Sequence, residues 1–143
     1  MAVTGQYLKR GNNTERVAGL VLDAPALDLP EIIRAGGQRY WVPAADYVNW
    51  AGQEVWKLGA RDLSEAVTLD AVAEFAGPIF LVHGTGDPLV PYSISERLVA
   101  KRPDITFWST KSNLHPMSFE EDRAGYAAAL RAWVDKLMAG APE

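Results

Sequence analysis

The chain has no cysteine, which excludes disulfide staples, thiol nucleophiles and cysteine-based metal sites together. It has only two histidines, His83 and His115, too few and too far apart for a histidine-rich metal centre. Basic residues are in the minority: 14 lysines and arginines against 18 aspartates and glutamates leave a net charge of −4. A chain with no basic cluster offers little to a phosphate backbone or an anionic membrane surface, so neither nucleic acid nor membrane is expected as a partner. No apolar run approaches the roughly 18 residues that a membrane-spanning helix needs. The opening Met1-Ala2-Val3-Thr4-Gly5-Gln6 lacks the positive region and apolar stretch of a secretory signal. What is present is 143 residues, 48% of them hydrophobic, with five tryptophans. That is enough for the core of one domain, expected in the cytoplasm.

Two continuous apolar runs stand out, Val17-Ala18-Gly19-Leu20-Val21-Leu22 and Pro78-Ile79-Phe80-Leu81-Val82. Such runs suit strands buried on both faces of a parallel sheet. Asp104 to Trp108 is a third strand candidate. Before the first strand, Ala2 to Lys9 reads as a short helix ended by Gly11-Asn12-Asn13. Thr68 to Ala76 reads as a short helix leading into the second. Ser93-Ile94-Ser95-Glu96 and Ser118-Phe119-Glu120-Glu121 both have the capping-box pattern, opening a helix to about Lys101 and then the longest helix. The stripe Tyr126, Leu130, Trp133, Val134 and Leu137 marks one face of that last helix, which Gly140 closes. Three strands interleaved with helices imply right-handed βαβ crossovers and a parallel sheet. Residues 26–69 break this rhythm. Pro30, Gly36-Gly37, Pro43, Gly52 and Gly59 punctuate short pieces rich in aromatics: Tyr40, Trp41, Tyr47, Trp50 and Trp56. This segment reads as a cap- or lid-like insertion.

The chemistry concentrates in His83-Gly84-Thr85-Gly86-Asp87-Pro88-Leu89-Val90-Pro91, a strand exit, a glycine-loosened turn and a helix start. In an open α/β sheet the carboxyl ends of strands hold ligands and catalytic groups. Asp87 has two readings. Gly86-Asp87-Pro88 makes an ordinary turn, or the carboxylate accepts the Nδ1–H of a histidine and steadies it during proton transfer. His115 lies in the matching loop one βα unit later, Lys111-Ser112-Asn113-Leu114-His115-Pro116, where neighbouring strands would bring it to Asp87. The pairing favours catalysis for both residues. His83 is expected to point back toward the sheet and hydrogen-bond the loop backbone, and Asp23, ending the first strand, is a fallback acid. None of the six serines (Ser64, Ser93, Ser95, Ser109, Ser112, Ser118) lies in the Gly-x-Ser-x-Gly elbow that exposes a nucleophile. The chain is therefore expected to carry no activated nucleophile.

These residues bring a family into view: Val17 to Met138 resembles the C-terminal half of an α/β-hydrolase. The run Val17 to Pro25 looks like the family's sixth strand, 26–69 like its cap, and His83 to Pro91 like the seventh strand's exit with the catalytic acid. The loop with His115 is similar to the histidine loop after the eighth strand, although Leu114 stands where many members have glycine. The resemblance implies a three-layer α/β fold with strands equivalent to six, seven and eight, residues 1–143 forming one partial domain. It implies cleavage of an ester-like bond (ester, thioester or amide) in a small acyl substrate by a serine, His115 and Asp87, without metal or cofactor. Trp41, Trp50 and Trp56 would contact substrate from the lid. In the family the elbow is followed by a helix and then the sixth strand, so Ala2 to Arg10 looks like the remainder of that helix and Met1 like an internal methionine. The oxyanion-hole loop, from an earlier strand, is missing as well, and the isolated chain is expected to be inactive. Its first strand would be an uncovered edge, apolar on both faces, open to self-association. Two other readings stand beside this one. A small non-catalytic α/β module could bind an apolar ligand among the aromatics. A separate chain could complete the sheet and supply the elbow.

Overall fold

The computed structural model describes residues 2–11, 14–41, 46, 50–52, 54 and 63–140. In chain order its main elements are α1 (Ala2–Lys9), β1 (Leu20–Asp23), α2 (Leu29–Tyr40), α3 (Leu69–Ala73), β2 (Ile79–Gly84), α4 (Tyr92–Lys101), β3 (Thr106–Thr110), α5 (Ser118–Glu121) and α6 (Arg123–Ala139). The strands form one parallel sheet in the order β1-β2-β3. Leu20 to Asp23 pair with Ile79 to Val82, and Phe80 to Gly84 pair with Thr106 to Thr110.

All six residues of the central strand β2 are buried, as an apolar run lying between two layers requires. Its side chains alternate. Ile79 and Leu81 join Leu20, Leu22, Leu8, Leu69, Val72, Ile94 and Leu98 on the face covered by α1, α3 and α4. Phe80 and Val82 pack with Trp133 of α6 on the other, flanked by half-buried Trp108, Tyr126, Leu130 and Leu137. Helices on both faces of a parallel sheet make a three-layer α/β fold. Among the described residues no helix is long and apolar enough to cross a membrane.

Element boundaries depart from the sequence pattern for identifiable reasons. Strand β1 begins at Leu20 instead of Val17. Gly19 lies beneath Trp133, where an added Cβ would come within 2.9 Å of the indole. Strand β3 starts two residues late because Asp104 is engaged by Arg102 at 2.7 Å. The same guanidinium donates to the carbonyls of Ala73, Phe75 and Gly77, tying the end of α4 to the loop before β2. Neither capping box forms. Pro91 precedes α4 without a side-chain cap, Ser93 donates to Glu31 at 3.1 Å, and Ser95 turns inward to His83. Ser118 opens only the short α5. The long helix starts at Arg123, capped by Asp122, which accepts the Gly125 N–H at 2.8 Å. Val134 is 39% exposed, because eight helical steps place it about 80° around the axis from Tyr126.

Edge strand β1 is covered on one face only, not on both as its apolar run suggests: Leu20 and Leu22 are buried while Val21 is 46% exposed. It turns sharply at Ala24, whose φ of +44° is a left-handed conformation unusual for a residue with a side chain. The 26–69 segment leaves and returns through one neck, where the Thr68 N–H donates to Leu27 O at 2.8 Å and Asp28 bridges Val67 in antiparallel fashion. Helix α1 docks on this neck. Gln6 donates to Glu65 O at 2.6 Å, and Gly5 lies so close to Thr68 that a Cβ would sit 2.2 Å from its hydroxyl.

Candidate active site

The two loops that leave β2 and β3 are laced together before either reaches its chemistry. Thr85 N–H donates to Thr110 O at 2.9 Å and Gly86 N–H to Ser112 O at 3.0 Å. The glycines permit this crossing: a Cβ at Gly84 would lie 2.6 Å from Ser112 O, and one at Gly86 3.1 Å from Asn113 Cα. The lacing delivers Asp87 and His115, 28 residues apart in sequence, to each other. His115 Nδ1 stands 2.7 Å from Asp87 Oδ2.

The two carboxylate oxygens of Asp87 have separate partners. Oδ1 accepts the N–H groups of Leu89 at 2.8 Å and Val90 at 2.9 Å, which is the turn-forming role. Oδ2 faces the imidazole. The side chain is 1% exposed. Burial alone would raise its pKa, but contacts from His83, the Val90 N–H, His115 and the Leu89 N–H outweigh it. They hold the carboxyl well below the usual carboxylate range. An acceptor on Oδ2 requires the hydrogen of His115 at Nδ1, which leaves Nε2 with its lone pair. Among the described residues nothing hydrogen-bonds to that Nε2, and the side chain is 20% exposed. An oriented imidazole with a free basic nitrogen can take a proton from a hydroxyl or water placed against it.

His83 sits back in the sheet and bonds the loop backbone as expected, Nε2 lying 3.2 Å from Val90 O. What sequence reasoning missed is its approach to the acid, Nε2 lying 3.4 Å from Asp87 Oδ2. The only sequence signal was an i, i+4 spacing across a glycine-rich turn. Asp23 ends β1 with a buried Oδ1 that lacks a hydrogen-bond partner. It is not paired with His115, whose carboxylate partner is Asp87. Desolvation raises the Asp23 pKa against the opposing pull of both histidines and Ser118. Such an acid binds its proton more readily folded than unfolded. Its ionised form therefore destabilises the fold progressively as pH rises above the ordinary carboxylate value. Asp23→Asn is expected to melt at a higher temperature than the parent at pH 7, and the difference should shrink toward pH 4. Thermal unfolding across that range checks it.

Of the tryptophans expected to meet substrate, Trp41 ends α2 at 92% exposure and Trp50 is 55% exposed. Trp56 lies outside the described residues, as does Tyr47. Nearer the pair, Leu89, Leu114, Met117 and Phe119 present exposed apolar surface on the two loops and α5. Ser93, Ser95 and Ser109 are engaged with Glu31, His83 and Tyr92 respectively. Ser112 and Ser118 are buried. No hydroxyl among the described residues approaches His115 Nε2 within hydrogen-bonding distance. Nor does any group of described residues form a metal-ligand cluster.

Comparison with known proteins finds no matching family model and no matching curated protein. Among solved structures, an esterase of Pyrococcus furiosus superposes on 96% of this chain with a TM-score of 0.66 at 17% identity. The chain spans 50% of the length of that esterase. At this identity the likeness concerns the backbone alone, and what it shows is the shared three-layer α/β fold.

Proposed function

We propose that Asp87 and His115 are the acid and the general base of a serine hydrolase acting on an ester-like bond, and that the serine belongs to polypeptide outside these 143 residues. The observation that carries this reading is the 2.7 Å contact between His115 Nδ1 and Asp87 Oδ2, with Nε2 free among the described residues. In the assembled enzyme the serine Oγ bonds to the acyl carbon while its proton passes to His115 Nε2. The imidazolium, steadied by ionised Asp87, returns that proton to the leaving oxygen as the acyl–oxygen bond breaks. Water then repeats the sequence on the acyl-enzyme and frees the carboxylic acid. The neck at Leu27 and Thr68 supports 26–69 as a cap-like insertion, and in this reading Trp41 and Trp50 are among its substrate-contacting aromatics. The unpaired edge of β1 is where the remaining sheet would join.

The test is turnover of p-nitrophenyl butyrate by two proteins: the 143-residue chain, and the chain extended upstream along its reading frame through the nearest Gly-x-Ser-x-Gly. The extended protein should hydrolyse the ester and the short chain should stay at the uncatalysed rate. Efficient hydrolysis by the short chain, or an upstream frame that closes without an elbow, would refute the assignment.

A further inference from the structure

His83 is fully buried, and so is Ser95 of α4 beneath it. A buried imidazole is costly unless both ring nitrogens are satisfied, and a leucine would fill such a space without that demand. The contacts say what the ring is for. Nε2 faces two acceptors, Val90 O at 3.2 Å and Asp87 Oδ2 at 3.4 Å. The hydrogen must therefore reside on Nε2, with the carbonyl taking the stronger branch and the carboxylate the longer one. Nδ1 is then a lone pair, 2.6 Å from Ser95 Oγ, so the serine hydroxyl donates to it. The ring is also held edge-on against Tyr92, centroids 5.4 Å apart.

The consequence falls on Asp87. A carboxylate has about four lone-pair directions. Here Oδ1 takes the Leu89 and Val90 N–H groups, and Oδ2 meets His115 on one side and His83 on the other. With every direction engaged, the group has no rotation open to it that keeps its contacts.

We infer that His83, held as its Nε2–H tautomer by Val90 O and Asp87 Oδ2 and braced at Nδ1 by the Ser95 hydroxyl, is a positioning residue that clamps Asp87 Oδ2 in line for His115. The two imidazoles thus carry opposite tautomers on one carboxylate oxygen. His83 touches neither substrate nor reacting atoms and acts through Asp87 alone. The role in turnover rests on the hydrolase reading; the clamp itself does not.

The experiment is nitrogen-15 NMR of the histidine rings in the full 143-residue chain. The parent should show one Nε2–H ring (His83) and one Nδ1–H ring (His115), the latter with a low-field proton from its bond to Asp87. Ser95→Ala should move the His83 ring nitrogen signals but leave the hydrogen on Nε2, where Val90 O and Asp87 Oδ2 still accept it. His83→Gln, which keeps a donor near the same place, should preserve the low-field His115 proton, whereas His83→Leu should lose it with the far-UV circular dichroism unchanged. If His83→Leu does not fold, the two tautomers of the parent decide. An Nδ1–H tautomer at His83 in the parent, or a His115 signal unchanged in folded His83→Leu, would overturn the clamp. In the ester-hydrolysing protein, His83→Leu should lower kcat about tenfold with KM unchanged, the size expected for a lost hydrogen bond to a charged group. The clamp signals surviving where Asp87→Asn leaves hydrolysis intact would sink the hydrolase reading and leave the clamp standing.

Discussion

Asp87→Asn is expected to cut kcat of the ester-hydrolysing protein by about four orders of magnitude while leaving its fold and KM nearly intact. The reason lies in how the turn orients the new amide. Oδ1 accepts two backbone N–H groups, from Leu89 and Val90. The amide oxygen must stay there, because an NH2 in that place would face two donors. The NH2 is then forced into the Oδ2 position, 2.7 Å from His115 Nδ1. It donates, His115 shifts its hydrogen to Nε2, and the nitrogen that should accept the serine proton is occupied. The turn that holds the acid in place thus holds the amide in the wrong orientation. A second readout follows from the depressed pKa of Asp87. Stability from a lowered carboxyl is present above its unfolded value and lost as pH falls below it. The variant should therefore unfold less steeply in acid than the parent. Steady-state kinetics with acid titration checks both; a variant within tenfold of parental kcat would show that Asp87 only forms the turn.

The largest effect on stability is expected at Phe80. It is fully buried, edge-on to Tyr126 with centroids 6.2 Å apart and tilted against Trp133 at 6.0 Å. Both partners belong to α6, so this one ring fastens the final helix to the sheet. Phe80→Ala removes an aromatic side chain and leaves a cavity between sheet and helix, at a cost of about 3–5 kcal/mol. Against a typical total of about 5–15 kcal/mol, that leaves little margin. Denaturant unfolding should show the loss, with the tryptophan emission shifting red as Trp133 is wetted. Val134→Ala, on the exposed side of the same helix, should change stability by no more than about 0.5 kcal/mol. Equal losses at both positions would contradict the packing described here.

The layers of the fold were legible because β2 is apolar without interruption: a run such as Ile79-Phe80-Leu81-Val82 has few places to go except between two helical layers. Boundaries were less legible, since they depend on partners far away in sequence. Asp104 belongs to Arg102 instead of to a strand, and the start of β1 is shaped by Trp133 above Gly19. Serines misled for the same reason. Ser93 and Ser95 match a capping pattern, yet Glu31 and His83 outcompete the helix end for them. In the site, the meeting of Asp87 and His115 could be anticipated from topology, because loops leaving adjacent parallel strands must be neighbours. The approach of His83 to Asp87 could not. It depends on which nitrogen faces which acceptor, and the Ser95 that braces the other nitrogen lies 12 residues away on another element. Asp23 was legible as an acid at a strand end, but not as one with a buried oxygen left without a hydrogen bond.

The most direct test of the central claim is to treat the 143-residue chain and its upstream-extended form with a fluorophosphonate and locate any adduct by mass spectrometry. The account predicts no adduct on Ser64, Ser93, Ser95, Ser109, Ser112 or Ser118. It predicts one on the elbow serine of the extended protein, abolished by His115→Ala. An adduct on any of those six serines, or elbow labelling that survives His115→Ala, would contradict it.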